Sequence, residues 1–181
     1  MENATHVFGP VPSRRLGLSL GVSPIPEKTC NYSCTYCQLG RTSHMTNNRE
    51  MFYPVSEIAE QVKTALESNS AIDVVSIVGE GEPTLYAGLG ELIDVIKSFT
   101  NKPVALITNA ALFYDEQVRA ESSKADIVLP SFDGYDEKSW KSIDRPYGKL
   151  DFDAVVDGLI EFGKHYSGQH WIEIMLIQGE N

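Results

Sequence analysis

From Ile72 onward the chain alternates short runs of strand-forming residues with stretches whose apolar residues recur at helical spacing. This alternation constrains the fold strongly, because a strand, a helix and a second parallel strand together form one compact unit. The predicted strands are residues 16–22, 73–78, 104–108, 127–132 and 171–177. The sequence therefore predicts an α/β fold with parallel strands arranged in a sheet or barrel.

Between these strands, apolar residues recur every three or four positions, as one face of an amphipathic helix requires. The three clearest stripes are Ile58, Val62, Ala65 and Leu66; Leu89, Leu92, Ile93 and Ile96; and Val155, Val156, Leu159 and Ile160. Residues 114–124 predict a weaker helix, and Ser56 and Asp151 are the expected N-caps. The polar segment 133–149 is expected to be a long connection on the functional side of the fourth strand.

The first predicted strand alternates large apolar residues with small ones, so that its two faces differ in bulk. The large residues are Leu16, Leu18, Leu20 and Val22, and the small ones are Gly17, Ser19, Gly21 and Ser23. The small face either leaves room for a ligand inside a barrel or is crowded by a neighbouring backbone. Both interpretations stay open at this point.

All three cysteines of the chain, Cys30, Cys34 and Cys37, lie within eight residues in the spacing C-x3-C-x2-C. Their odd number, with no secretion signal in the first eight residues, argues against a disulfide framework. A structural zinc ion takes four ligands, and a fourth would have to come from His44 or a distant residue. Three thiolates in one tight loop suit an iron–sulfur cluster that keeps one iron free of protein ligands.

Polar residues follow the ends of three predicted strands. The string Gly79-Glu80-Gly81-Glu82-Pro83-Thr84 ends the second strand. A carboxylate there can accept hydrogen bonds from an ammonium group, and glycine lets a ligand approach the backbone. Asn109 ends the third strand, and Ser131 follows the fourth, where it shares one face with Asp133. Glu173 lies among apolar residues of the fifth strand, where a carboxylate needs a partner or water.

The cysteine spacing, with the aromatic Tyr36 directly before Cys37, resembles the cluster loop of the radical S-adenosylmethionine (SAM) superfamily. The resemblance implies that Cys30, Cys34 and Cys37 hold a [4Fe–4S] cluster whose open iron binds the methionyl part of SAM. It also implies reductive cleavage of SAM to a 5′-deoxyadenosyl radical, with Tyr36 near the adenine. The fold implied is a partial TIM-type (β/α) barrel.

Further positions match this family. Gly81, Glu82 and Pro83 match its Gly-Glu-Pro string, which contacts the amino group of SAM. Asn109 and Ser131 lie where family members face cofactor or substrate, and Glu173 could bind the ribose of SAM. The chain departs from the usual strings at Glu80, Ala110 and Phe132. Residues 8–17 resemble the opening of a subgroup related to the wyosine-base synthases, which modify tRNA.

The implied partners are a substrate that the sequence does not identify and an electron donor such as a flavodoxin or ferredoxin. The net charge of −10 does not support a general nucleic-acid surface. Positive charge is concentrated near the motifs, at Arg14, Arg15, Arg41, Arg49 and Arg145. These arginines are either solvated loop residues or a local site for a phosphate or carboxylate. No run is apolar enough for a membrane span, and the reduced thiols predict a cytoplasmic protein.

The implied family core has six βα units, whereas about five are present and residue 181 follows directly after the fifth strand. We therefore expect residues 1–181 to form one radical SAM core domain that is truncated at its C-terminus or completed by another chain. Two other functions stay open: a non-catalytic iron–sulfur module for electron transfer or scaffolding, and a zinc-binding interaction module.

Overall fold

The computed structural model describes residues 5–181. Its strands are β1 (Val7–Ser13), β2 (Gly17–Val22), β3 (Thr29–Cys30), β4 (His44–Met45), β5 (Val74–Ile77), β6 (Val104–Thr108), β7 (Ile127–Pro130) and β8 (Gln169–His170). Its α-helices are α1 (Val55–Ser68), α2 (Leu89–Phe99), α3 (Glu116–Ser122), α4 (Glu137–Ile143) and α5 (Phe152–His165). One turn of 3-10 helix, Pro83–Leu85, follows β5.

The main sheet has six strands in the order β1-β2-β5-β6-β7-β8. Strand β1 pairs antiparallel with β2, and every other neighbouring pair in this sheet is parallel. Strands β3 and β4 form a separate parallel pair that brackets the last two cysteines. The predicted α/β architecture with a mostly parallel sheet is therefore confirmed.

The main core lies between one face of the sheet and the helices. Val75, Leu106 and Val128 of the sheet belong to the same buried cluster as Ile58 of α1 and Leu92 of α2. The opposite face carries a smaller cluster, which comprises Val74, Ala105, Ile127 and Leu129. Because side chains alternate between the two faces of a strand, β5, β6 and β7 each contribute to both clusters.

The small face of β2 is crowded rather than open at its centre. Leu20 and Val22 enter the main core. A Cβ placed on Gly21 would lie 2.2 Å from the ring of Phe8, which therefore occupies the space next to this glycine. Ser19 forms a buried hydrogen bond with Ser76 between their hydroxyl oxygens, at 2.7 Å. Of the two interpretations of the small residues, the structure supports crowding, although the neighbour at Gly21 is the Phe8 side chain and not a backbone.

The predicted helices are present, with corrections at their ends. The three apolar stripes fall in α1, α2 and α5, and the weaker helix is α3. Asp151 caps α5 as predicted and accepts a hydrogen bond from the Ala154 amide at 2.9 Å. Ser56 is not a cap, because α1 already begins after Pro54. The segment 133–149 is not a plain connection, because Asp136 forms a capping box that starts α4 within it.

The fifth predicted strand, residues 171–177, was wrong in its position. Strand β8 ends at His170, although the amides of Trp171 and Glu173 still donate to the carbonyls of Val128 and Pro130. Proline has no N–H, so Pro130 cannot return a hydrogen bond and the ladder is interrupted there. A single bridge between Ser131 and Glu173 resumes the pairing.

The remaining points concern three further strands, the N-terminus and the membrane prediction. Strands β1, β3 and β4 were not predicted from the sequence. The predicted absence of a secretion signal concerned residues 1–8, of which 1–4 lie outside the described residues. Within residues 5–181, no helix combines the length and the hydropathy that crossing a membrane requires.

Candidate cofactor site

Cys30, Cys34 and Cys37 line one cavity of about 340 Å³. It lies at the carboxyl ends of β5, β6 and β7, where Gly79, Thr108 and Ser131 contribute to its wall. Carboxyl ends of parallel strands are the usual position of a site in such folds, and the volume lies in the normal range for a small-molecule pocket. Five of the other predicted site residues line it as well: Tyr36, Gly81, Glu82, Asn109 and Ser131.

The first side of the cysteine loop is held by the turn after β5. The Lys28 amide donates to the Glu80 carbonyl at 2.6 Å, and the Glu82 amide donates to the Thr29 carbonyl at 3.1 Å. A Cβ on Gly81 would lie 1.9 Å from the Thr29 carbonyl oxygen. Glycine at this position is therefore required for the backbone of the loop to approach the turn, independently of any ligand.

The second side of the loop is held by α4 and the residues after it. The amides of Ser33 and Thr35 donate to the last carbonyls of this helix region, those of Asp144 and Ile143, at 2.9 and 2.8 Å. The indole of Trp140 donates to the Tyr32 hydroxyl at 2.9 Å. These backbone donors satisfy carbonyls that a helix leaves unpaired at its C-terminus. We call these contacts between residues 140–147 and residues 31–35 the α4 clamp.

The thiols fit the donor set that an iron–sulfur cluster requires. All three cysteines are free and half-buried. The Tyr32 amide donates to the Cys30 sulfur at 3.3 Å, and the Asn109 side-chain amide lies 3.8 Å from the same atom. Such hydrogen bonds to cysteine sulfur are among the contacts with which proteins tune a cluster. Among residues 5–181, no three His, Cys, Asp or Glu side chains are grouped closely enough to hold a single metal ion.

Burial makes the thiolate state of Cys30 and Cys34 costly. It raises the pKa of Cys30 to about 12, with a further contribution from the charge of Glu82. Burial also raises the pKa of Cys34, and the neighbouring Asp144 raises it further. The positive charge of bound iron would stabilise the thiolate form of these cysteines, because a thiol that coordinates a metal is deprotonated.

Glu82 is 2% exposed and its carboxylate ties two strand ends together. Its Oε1 accepts hydrogen bonds from the Thr84 amide, the Thr84 hydroxyl and the Thr108 hydroxyl at 2.9, 2.6 and 2.5 Å. Its Oε2 accepts from the Asn109 amide at 2.8 Å and keeps further acceptor capacity. Burial raises the pKa of Glu82, although these hydrogen bonds partly oppose the shift.

Asn109 connects the end of β6 to the cysteine loop. Its side-chain amide donates to Asn31 at 2.7 Å, and its side-chain oxygen accepts from the Ala111 amide at 2.9 Å. The next residue, Ala110, is buried with a φ of 57°. Glycine adopts this left-handed conformation without strain, which explains why it suits the position. In this chain alanine adopts the same conformation.

Two buried carboxylates at the site were missed as cofactor-site residues. The Tyr36 hydroxyl donates to Oδ2 of Asp133, and the Met175 amide donates to Oδ1 of the same carboxylate at 2.6 Å. Asp144 lines the cavity, and burial together with the charge of Asp133 raises its pKa to about 7. The only sequence signal for either residue was the shared face of Ser131 and Asp133.

Two predicted residues lie elsewhere. Pro83 is buried at the first position of the 3-10 turn and does not line the cavity. Glu173 lines a neighbouring cavity of about 680 Å³, where it forms an ion pair with Arg15. Tyr36 and Ser131 border both cavities and therefore form part of the wall between them.

Comparisons with known proteins identify a family. Residues 25–181 match the family model described as the radical SAM superfamily. A "GTPase Obg" of Brachyspira hyodysenteriae is 45% identical over 97% of this chain, which covers 26% of that protein. A UPF0026 protein of Methanocaldococcus jannaschii is 41% identical over 96% of the chain, which covers 54% of it. The chain thus spans between about a quarter and about half the length of these relatives, and the GTPase name belongs to a much longer protein.

Solved structures share the fold. TYW1 with a lysine–pyruvate adduct bound has a TM-score of 0.64 at 18% identity, covering 90% of this chain and 57% of that one. The enzyme anSMEcpe with bound AdoMet and a peptide has a TM-score of 0.58 at 26% identity, covering 85% of this chain and 42% of that one. The architecture is therefore the partial TIM-type barrel that the resemblance to the radical SAM superfamily implied.

Proposed function

Because the chain belongs to the radical SAM superfamily, as its cysteine loop predicted, we propose that it binds a [4Fe–4S] cluster and SAM and cleaves SAM reductively. One observation carries this proposal: the three thiols line the same 340 Å³ cavity as Tyr36, Gly81 and Ser131. A volume of this size suits a nucleoside-sized ligand. The AdoMet bound to anSMEcpe, a structural relative, supports the identity of that ligand.

The residues of the cavity have separate tasks in this proposal. Cys30, Cys34 and Cys37 would hold the cluster, which when bound supplies the electron that splits SAM into methionine and a 5′-deoxyadenosyl radical. The Oε2 atom of Glu82 and the Ser131 hydroxyl provide acceptors for the ammonium group of SAM. The Tyr36 ring, fixed through Asp133, forms the wall against which the adenine would lie. Pro83 would act only through the turn that it starts.

The substrate would bind in the 680 Å³ cavity, because Tyr36 and Ser131 separate it from the SAM cavity by a single wall. Glu173 and Arg15 would then contact substrate or orient it, rather than the ribose of SAM. A tRNA base remains the candidate substrate that the subgroup resemblance implies. The net charge of −10 requires that any RNA contact be local, at arginines such as Arg14.

The proposal is tested by anaerobic reconstitution with iron and sulfide, reduction with dithionite, addition of SAM and measurement of 5′-deoxyadenosine. We expect visible cluster absorbance and 5′-deoxyadenosine from the wild-type chain, and neither from Cys34→Ala. Ser33→Ala, a change in the same loop that keeps all three thiols, should retain both. A cluster whose spectrum ignores SAM would favour the non-catalytic module, and a colourless zinc-loaded protein would favour the zinc module.

A further inference from the structure

The outer side of the cysteine loop carries a second cavity of about 700 Å³. Cys34 and Cys37 line it as well as the cofactor cavity, so these two residues separate one cavity from the other. Arg41 and Arg145 also line it, and no Asp or Glu of residues 5–181 does. In the proposed function, this second cavity would give a partner protein access to two cluster-binding cysteines without entering the cofactor cavity.

The two arginines are unusual within an acidic chain. Of the six arginines, Arg15, Arg49 and Arg119 form ion pairs or hydrogen bonds within residues 5–181. The other three, which are Arg14, Arg41 and Arg145, have no ion-pair or hydrogen-bond partner in that part of the chain. Two of these three lie at the same cavity. The result is a local positive face on a protein whose net charge is −10.

The backbone on both sides of this face is fixed. Arg145 has a φ of 47° and lies inside the α4 clamp, between Asp144 and Tyr147, whose backbone groups bond to the cysteine loop. A left-handed arginine persists only where its surroundings determine the conformation, and such residues are concentrated at functional sites. Next to Arg41, the Thr42 hydroxyl donates to the Tyr32 carbonyl at 2.6 Å. Both positive charges therefore start from rigid positions beside the thiols.

We propose that this face, formed by Arg41 and Arg145 beside Cys34 and Cys37, docks an acidic protein that carries single electrons, of the flavodoxin or ferredoxin class. The proposal rests on the proposed function. In the encounter the reduced carrier would lose one electron to the cluster that Cys30, Cys34 and Cys37 would hold, and no atom or proton would be transferred. SAM fills the inner cavity in the proposed function, which leaves the outer cavity as the approach to the cluster.

Charge decides between this partner and RNA. A polyanion gains affinity by releasing counterions at many phosphate contacts, which needs many cationic side chains on the protein. This face offers two, and the chain as a whole would repel a long polyanion. An acidic protein needs only a small complementary patch for steered association, whose rate is sensitive to salt.

The test is direct binding of a recombinant acidic flavodoxin to the reconstituted full chain, measured as Kd by isothermal titration calorimetry. We expect wild-type affinity to fall as salt rises from about 50 to about 300 mM, since the Debye length shrinks over this range. Arg41→Glu combined with Arg145→Glu should weaken binding at low salt by about tenfold or more. The matched control, Lys63→Glu with Lys138→Glu, makes the same change in net charge on exposed helix faces and should bind within about twofold of wild type.

A second measurement keeps the outcome separate from that of the proposed function. With dithionite as reductant, the arginine double variant should cleave SAM as the wild type does, whereas with reduced flavodoxin its cluster should be reduced about tenfold more slowly. Equal flavodoxin affinity in wild type and double variant would overturn the docking proposal. The same holds if the double variant loses binding of labelled tRNA while its affinity for flavodoxin stays at the wild-type value. Failure of the wild type to cleave SAM with dithionite would overturn the proposed function instead. If the double variant does not fold, Arg41→Gln and Arg145→Gln should each give an intermediate loss of affinity.

Discussion

The cysteine loop and the C-terminal edge of the sheet contrast in how they are held. The loop contains little regular structure, yet the turn after β5 contacts it on one side and the α4 clamp on the other. The C-terminal edge, residues 169–181, has a strand-like sequence, yet only β8 is a regular strand. Ile172, Ile174 and Leu176 of this edge are more than half exposed.

Backbone partners, rather than composition, therefore decide which of the two segments becomes fixed. In the loop, backbone amides donate to carbonyl groups of segments far away in the sequence. The hydrogen-bonding groups of this irregular backbone are therefore satisfied. At the edge, Pro130 removes one donor from the neighbouring strand, and beyond Glu173 a side chain, Asp133, takes over as acceptor for the Met175 amide. A strong β pattern does not extend a strand where its neighbour cannot donate.

Gly81→Ala should have the greatest effect, because it alters the contact between the turn after β5 and the cysteine loop. The new Cβ would overlap the Thr29 carbonyl, so the turn and the loop must separate. We expect the free energy of unfolding to fall by about 3 kcal/mol in urea titration, together with loss of cluster binding. Gly148→Ala is the matched control, because a Cβ there meets nothing within 4 Å and should change stability by less than about 0.5 kcal/mol. Wild-type stability of Gly81→Ala would show that the close contact between the turn and Thr29 does not hold the loop.

The next effect comes from Tyr32→Phe, which removes one bond of the α4 clamp. The buried Trp140 indole would lose its acceptor, which costs about 2 kcal/mol of unfolding free energy. The measurement is urea unfolding followed by tryptophan fluorescence. Tyr135→Phe serves as the control, since that side chain is 74% exposed and should be neutral. Equal stability of the two variants would show that the clamp is held by backbone contacts alone.

Asp133→Asn addresses both regions at once. A neutral amide accepts weaker hydrogen bonds than a carboxylate, so we expect a loss of about 1 kcal/mol. Hydrogen exchange at the Met175 amide should accelerate by about fivefold, because its bond to Asp133 opens more often. Asp151→Asn, at the cap of α5, should leave exchange at Met175 unchanged. Unchanged exchange in Asp133→Asn would place the edge under the control of its other contacts.

The smallest expected effect is a pH dependence of folding stability that arises from His170 in the C-terminal edge. His170 packs against the rings of Phe162 and Tyr166, and its buried Nε2 has no hydrogen-bond partner within residues 5–181. Burial lowers the pKa of His170 below that of an unfolded histidine, about 6.5. The unfolded chain therefore binds the proton first, and stability should fall as pH drops below that value. Urea unfolding at several pH values should show this slope in wild type and a shallower one in His170→Gln; equal slopes would contradict it.

The sequence indicated which residues would come together at the candidate cofactor cavity better than it indicated the contacts that support them. The thiol spacing and the Gly81-Glu82 string rest on residues close in the chain, and these residues line one cavity. The α4 clamp joins Tyr32 to Trp140, 108 positions apart, and no local pattern signals such a contact. Pro83 and Glu173 were predicted to be site residues because of the residues next to them in the sequence. In the structure Pro83 begins a one-turn helix, and Glu173 forms an ion pair with Arg15 outside the cofactor cavity.

The position of Asp133 has a thermodynamic consequence. One carboxylate accepts from Tyr36 on the loop and from Met175 on the edge, so the order of each segment depends on the same group. By reciprocity, a ligand that needs the Tyr36 ring in this orientation must favour the folded edge, and whatever packs on the edge must raise affinity for that ligand by the same factor. Proteins that contact Ile172 or Ile174, which do not line the cofactor cavity, would thereby act as effectors of a ligand that they never touch.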